Sequence, residues 1–141
     1  MNNDNPRIVI EDDQDDQDLL KEIFKKLAYK NEVIFFHDGN MVLEYLDKSE
    51  VVHFLILSDI NMPKMTGFEL KNKILLNEKL QRKSIPYLFF TTNANEKAVV
   101  DAYSMSVQGF FVKPNTIEEF ERVIKNIMEY WKDCISPNVY K

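Results

Sequence analysis

Five short runs of β-branched and aromatic residues alternate with five stretches of helical spacing, and few folds accommodate that order. The runs are Arg7-Ile8-Val9-Ile10, Val33-Ile34-Phe35-Phe36, His53-Phe54-Leu55-Ile56-Leu57, Tyr87-Leu88-Phe89-Phe90 and Gly109-Phe110-Phe111-Val112. Between them, Leu19, Leu20, Ile23, Phe24 and Leu27 form one apolar helical face, and Met41, Val42, Tyr45 and Leu46 form a second. Phe68, Leu70, Ile74, Leu75 and Leu80 mark a third. A fourth, around Lys97 to Met105, is short and weakly apolar, and a fifth begins near Thr116 and runs past Trp131. Strand–helix alternation predicts a parallel sheet covered on both faces by right-handed crossovers. Strands apolar at nearly every position agree with burial on both sides. The commonest strand order for five such strands is 2-1-3-4-5, a doubly wound α/β sheet.

The rest of the chain sets bounds on function. A length of 141 residues with 45% hydrophobic content suits one core. No repeat, low-complexity segment or linker interrupts it, and the expected division is a disordered tail at 1–6, one domain at 7–134 and a C-terminal tail at 135–141. No apolar run approaches a membrane span, since Val51 to Leu57 is broken by His53. The first residues lack the charge and apolar core of a secretory signal. Cys134 is the single cysteine, which fits a reducing cytoplasm. A net charge of −5 argues against a nucleic-acid surface.

In open parallel sheets, reactive groups collect at the carboxyl ends of the strands. The third strand runs straight into Asp59 and then into Ile60-Asn61-Met62-Pro63-Lys64-Met65-Thr66-Gly67. Taken alone, Asp59 reads equally well as a nucleophile on a rigid strand or as a helix cap. The first strand is followed by Glu11-Asp12-Asp13-Gln14-Asp15-Asp16-Gln17-Asp18, six acids in eight positions. Asp15, Asp16 and Asp18 need no more explanation than the macrodipole of the helix they begin. Glu11 and Asp12 precede that helix, and strand order 2-1-3-4-5 brings them beside Asp59. Two carboxylates about 4 Å apart repel by roughly 4 kcal/mol at an effective dielectric of 20. Three call either for a divalent cation, with Mg²⁺ suiting all-oxygen ligands, or for raised pKa values. An EF-hand loop is excluded, because neither its glycine nor its final glutamate falls in place. The fourth strand ends in Thr91-Thr92 and the fifth in Lys113-Pro114, which offer the same edge a hydroxyl and a point cation suited to phosphate oxygens.

With those residues in that order, the chain resembles a response-regulator receiver domain, the phosphoryl-accepting half of two-component signalling, over nearly all of Arg7 to Trp131. The motifs are Glu11-Asp12, Asp59-Ile-Asn-Met-Pro, Thr91 and Lys113-Pro114. The resemblance implies the flavodoxin-like receiver fold and phosphorylation of Asp59 by a phosphohistidine of a sensor histidine kinase or phosphotransfer protein. It implies Mg²⁺ held by Asp12 and Asp59, by Glu11 mainly through water, and by the backbone carbonyl of Asn61. Thr91 would bond the phosphoryl, Lys113 would pair with another of its oxygens, and Phe110 would be the aromatic switch. The Lys113-Pro114 peptide would be cis, aiming the lysine inward.

The resemblance also implies a bacterial, cytoplasmic phosphoprotein rather than an enzyme, acting on a downstream protein target. Its contact or homodimer surface would be the fourth helix, fifth strand and fifth helix. That last helix carries an inward stripe of Ile117, Phe120, Ile124, Ile127, Met128 and Trp131 and an adjoining one of Val123, Tyr130 and Cys134, similar to the longer stand-alone receivers associated with bacterial phytochrome kinases. Four positions depart from the usual pattern. Glu11 replaces aspartate, Thr92 a small residue and Asn115 an aromatic, and Phe110 lacks a tyrosine's hydroxyl. These leave the lifetime of the phosphorylated state open, with Asn61 and Asn93 the residues expected to set it. Two further readings stand beside this one: a receiver that binds without phosphorylation, and an aspartate-nucleophile phosphatase. The second would want an aspartate where Asn61 stands. His37 and His53 read as structural or surface histidines, and the three glycines build no nucleotide cradle.

Overall fold

The computed structural model describes residues 5–135, so most of the expected tails at 1–6 and 135–141 lies outside it. Five parallel strands pair in the order β2-β1-β3-β4-β5. They are β1 (Arg7–Ile10), β2 (Val33–Phe36), β3 (Leu55–Ser58), β4 (Tyr87–Thr91) and β5 (Gly109–Val112). The helices are α1 (Gln14–Leu27), α2 (Gly39–Lys48), α3 (Gly67–Leu76), α4 (Glu78–Gln81), α5 (Glu96–Ser104) and α6 (Ile117–Asp133).

Period-2 alternation along the strands sorts the core into two layers. Ile8, Ile10, Ile56, Tyr87 and Phe89 face the side covered by α2 to α5. Val9, Leu55, Leu57, Leu88 and Phe90 face the side covered by α1 and α6. Burial of both faces is what allows the central strands to be apolar throughout.

Helix starts follow local capping chemistry. Asp13 accepts from the N–H groups of Asp15 and Asp16, and Thr66 and Glu69 form a reciprocal capping box that starts α3 just beyond the loop after Asp59. The third helical stretch proves to be two helices. Asn77 closes α3 with its N–H on the Ile74 carbonyl and opens α4 with its side chain on the Leu80 N–H, so Leu80 belongs to a separate short helix. The fourth and fifth helices expected from the sequence are therefore α5 and α6. Ile117, expected on the inward stripe of the last helix, is 65% exposed. It occupies the first position of α6, and contact with the sheet begins one turn later, where the Phe120 ring stacks edge-on against Phe90 at 5.0 Å.

Candidate functional site

Parallel pairing aligns the ends of β1 and β3, with Ile10 beside Ser58. The residues that follow are held by the same ladder. Asp59 donates its N–H to the Ile10 carbonyl at 3.0 Å, and Glu11 donates its own to Phe36 at 3.0 Å. One carboxylate oxygen each from Glu11, Asp12 and Asp59 lies within 4.8 Å of the others. Glu11 and Asp59 are buried, while Asp12 is more open. Asp59 Oδ1 accepts from the Ile60 N–H at 2.7 Å, which leaves Oδ2 facing Lys113.

Lys113 follows β5 and donates its backbone N–H to the Thr91 carbonyl at 2.7 Å. Its Nζ meets three carboxylates: Glu11, Asp16 at 2.8 Å and Asp59 at 3.2 Å. The Lys113–Pro114 peptide is trans, against the expectation of a cis bond, and no cis peptide occurs among the described residues. The intrinsic preference of an X–Pro bond is trans, and the inward aim of the lysine is secured by the Thr91 carbonyl and the three acids. Burial works against the ammonium, but the hydrogen bonds it donates to Asp16 and Glu11 and the charges of Glu11 and Asp59 outweigh it and hold the pKa above its usual value. Burial, assisted by the charge of Asp59, pushes the Glu11 carboxyl up to about 8 against the opposing pull of Lys113. An all-oxygen set with two buried members, one of them driven toward protonation, and a third open to solvent is the condition that a divalent cation relieves, so these three residues fit one.

Thr91, at the last position of β4, is fully buried, and its Oγ1 has no hydrogen-bond partner among the described residues. Asn61 is exposed on the loop after Asp59. Phe110 is half-buried on β5, against the core layer under α2 to α5, with its ring 6.2 Å from Phe89. Gly67 ends the loop by donating to the Ile60 carbonyl at 2.8 Å, and a Cβ there would stand 2.3 Å from the Asp59 carbonyl oxygen. Only glycine permits that approach, so Gly67 helps position Asp59.

Two side chains at this edge escaped the sequence reading. Asp16 does more than favour a helix dipole, because the first turn of α1 hangs over the strand ends and delivers it to Lys113. Gln17, also in that turn, donates to the Glu11 carbonyl at 2.6 Å and contacts His37 Nδ1 at 3.1 Å, clamping the backbone that carries Glu11. His53 is buried, and its Nε2 lies 2.9 Å from the Tyr45 hydroxyl, as befits a structural histidine.

A sequence profile described as response regulator receiver domain matches residues 8–125. The chain belongs to that family. Receiver domains are the signalling modules of two-component systems, and relatives and structures agree. The chain is 27% identical to response regulator Rcp1 of Synechocystis over 92% of its own length and 90% of that protein's. It is 30% identical to the chemotaxis protein CheY-3 of Vibrio cholerae over 90% and 95% of the two chains. The crystal structure of a phosphorylated cyanobacterial phytochrome response regulator, RcpA, superposes with a TM-score of 0.82 at 26% identity, over 94% of this chain and 99% of that one. An Mn²⁺-bound form of Rcp1 superposes with a TM-score of 0.78 at 28% identity, over 93% and 97%. No helix among the described residues is long and apolar enough to cross a membrane.

Proposed function

We propose that this receiver domain, residues 7–134, accepts a phosphoryl group on Asp59 from a phosphohistidine of a sensor histidine kinase or phosphotransfer protein, and signals by protein contact in the cytoplasm. The observation that carries the reading is the meeting of Lys113 Nζ with the free oxygen of Asp59 at 3.2 Å, beside Glu11 and Asp12. Asp59 Oδ2 attacks phosphorus in line as the P–N bond to the donor imidazole breaks, the electron pair staying on that nitrogen, which then takes a proton. Glu11, Asp12, Asp59 and the backbone carbonyl of Asn61 would hold Mg²⁺, which when bound neutralises phosphoryl oxygens and lowers carboxylate repulsion.

Lys113 pairs with a further phosphoryl oxygen, and for that its ammonium leaves at least one of its three acids. The acyl phosphate brings nearly two negative charges and three acceptors. Thr91 Oγ1, buried without a partner, is the hydroxyl free to donate to them. Its movement opens room for Phe110, which carries the change to the surface of α5, β5 and α6. Exposed Val100, Tyr103, Val112 and Ile117 on those elements support a contact surface there, for a target or a second copy of the chain. Similarity to Rcp1 and to a phytochrome response regulator makes a light-sensing kinase a reasonable donor to test first. Incubation with Mg²⁺ and a small acyl phosphate should add one phosphoryl group by intact mass, and Asp59→Asn should abolish the gain. Wild type that stays unmodified would leave a receiver acting by binding alone, and catalytic release of phosphate would indicate a phosphatase.

A further inference from the structure

The opposite end of the sheet holds a buried cation that phosphoryl chemistry does not use. Lys71 lies on α3 one turn before Ile74 and Leu75, on the helix face that covers the sheet, and is only 7% exposed. Its Nζ stands 5.3 Å from the centroid of the Tyr87 ring. No carboxylate or hydrogen-bond acceptor among the described residues meets it. Burial lowers its pKa. An ammonium in such surroundings is costly unless an anion pairs with it, and a ring face compensates only in part. A leucine or methionine would fill this helix position without that cost.

Lys71 borders a cavity of about 380 Å³, built from α3, α4 and the segments that enter β4 and β5. That volume falls in the range of small-molecule sites. Ile74, Leu80, Ile85 and Trp131 supply apolar walls, and no acidic side chain among the described residues lines the space. The amide oxygen of Gln108, at its edge, is already engaged by the Tyr87 N–H at 2.8 Å. The cavity thus offers one positive charge, from Lys71, against walls that are mostly apolar, with Gln81, Ser84 and Ser106 as further polar lining. A dianion would leave a charge uncompensated, and a neutral ligand would leave the ammonium unpaired. We propose that this cavity binds a small amphipathic organic carboxylate, with its carboxylate on Lys71 Nζ and its apolar body against Ile74, Leu80 and Ile85. The inference does not depend on phosphorylation of Asp59.

Trp131 is the single tryptophan of the chain and lines the cavity, so its fluorescence reports occupancy. Benzoate and hexanoate, titrated at constant ionic strength, should give a saturable change. Benzamide and hexanamide, which match them in shape without the charge, should bind at least tenfold more weakly. Lys71→Met should weaken the carboxylates at least tenfold, and Lys71→Arg should retain them. Amide NMR shifts should cluster at residues 71–87 and 106–108. Absence of a saturable carboxylate response would overturn the proposal, as would equal binding of the amides or shifts mapped elsewhere. The acid–amide contrast is read on wild-type protein, so it holds even if a Lys71 variant fails to fold.

Discussion

The two ends of the sheet carry buried cations in opposite circumstances. Where the strands finish, Lys113 is enclosed by three carboxylates on α1, β1 and β3 termini. Where they begin, Arg7 is 1% exposed and meets no carboxylate among the described residues: its guanidinium donates to the Asn31 carbonyl and lies 4.2 Å from the Phe24 ring centroid. Lys71, near the start of β4, has only the Tyr87 ring among the described residues. At the first end each charge is there because another charge is, and removing one leaves the others uncompensated. At the second, the cations are accommodated singly by carbonyls and aromatic faces, and removing one strands no opposite charge. The proposed phosphoryl acceptance rests on the first arrangement, since a carboxylate cluster held by one ammonium is the kind that a new anion would disturb.

This contrast predicts unequal responses to similar substitutions. The largest effect is expected at Lys113. Removing one partner of a buried ion cluster costs about 3–5 kcal/mol, and Lys113→Met should approach that loss in urea unfolding without divalent cation. Mg²⁺ should restore part of it, because a divalent ion takes over the neutralisation of Glu11 and Asp59. Equal stability of the variant with and without Mg²⁺ would break the account of the acidic end.

Next comes Gly67→Ala. The added Cβ meets backbone rather than a flexible side chain, and overpacking of that kind costs about 1–3 kcal/mol. The variant should lose phosphoryl acceptance by a larger factor than it loses stability, since the displaced atom is the Asp59 carbonyl. A variant that unfolds more easily but phosphorylates at the wild-type rate would dissociate Gly67 from the site.

A titration probes the cationic end. Burial, with a smaller contribution from the charge of Lys83, pulls the His53 pKa from its usual 6.5 down to about 4. The unfolded chain therefore binds the proton first, and the stability held by neutral His53 is full above pH 6.5 and is lost as pH falls toward 4. A loss on the order of 2 kcal/mol is expected. His53→Phe should flatten the unfolding free energy across that window, and an unchanged slope would contradict the assignment.

The smallest effect is at Lys71. Exchanging a lone buried ammonium for an apolar side chain of similar length should stabilise the fold by about 1 kcal/mol, read as a higher urea midpoint for Lys71→Met at unchanged slope. A marked loss of stability would mean that the ammonium is paired after all and would remove the contrast between the ends.

These ends were not equally legible in the sequence. Strand order and the gathering of Glu11, Asp12, Asp59, Thr91 and Lys113 follow from hydrophobic period and chain order, because Thr91 ends a strand and each of the others sits one or two positions past one. Asp16 was hidden by a sufficient local explanation, the helix dipole, although its second partner comes from the far end of the chain. The division of α3 from α4 turns on Asn77 serving as the cap of both, a choice that apolar spacing through Leu80 does not reveal. Ile117 was misassigned because periodicity gives a direction around a helix but not where along it the sheet begins. The trans Lys113–Pro114 peptide was misjudged because the expectation rested on resemblance, while the pull on the side chain comes from three acids remote in sequence. Arg7 and Lys71 gave no sign at all, since whether a charged side chain is buried depends on what tertiary packing places over it.

The central claim is that Asp59 is the phosphoryl acceptor and that the surrounding acids and lysine make it so. Intact mass after incubation with Mg²⁺ and a small acyl-phosphate donor tests it most directly. The account predicts one added phosphoryl group on wild type, none on Asp59→Asn, and a much slower gain on Lys113→Met. An unmodified wild type, or a gain that survives in Asp59→Asn, would contradict it.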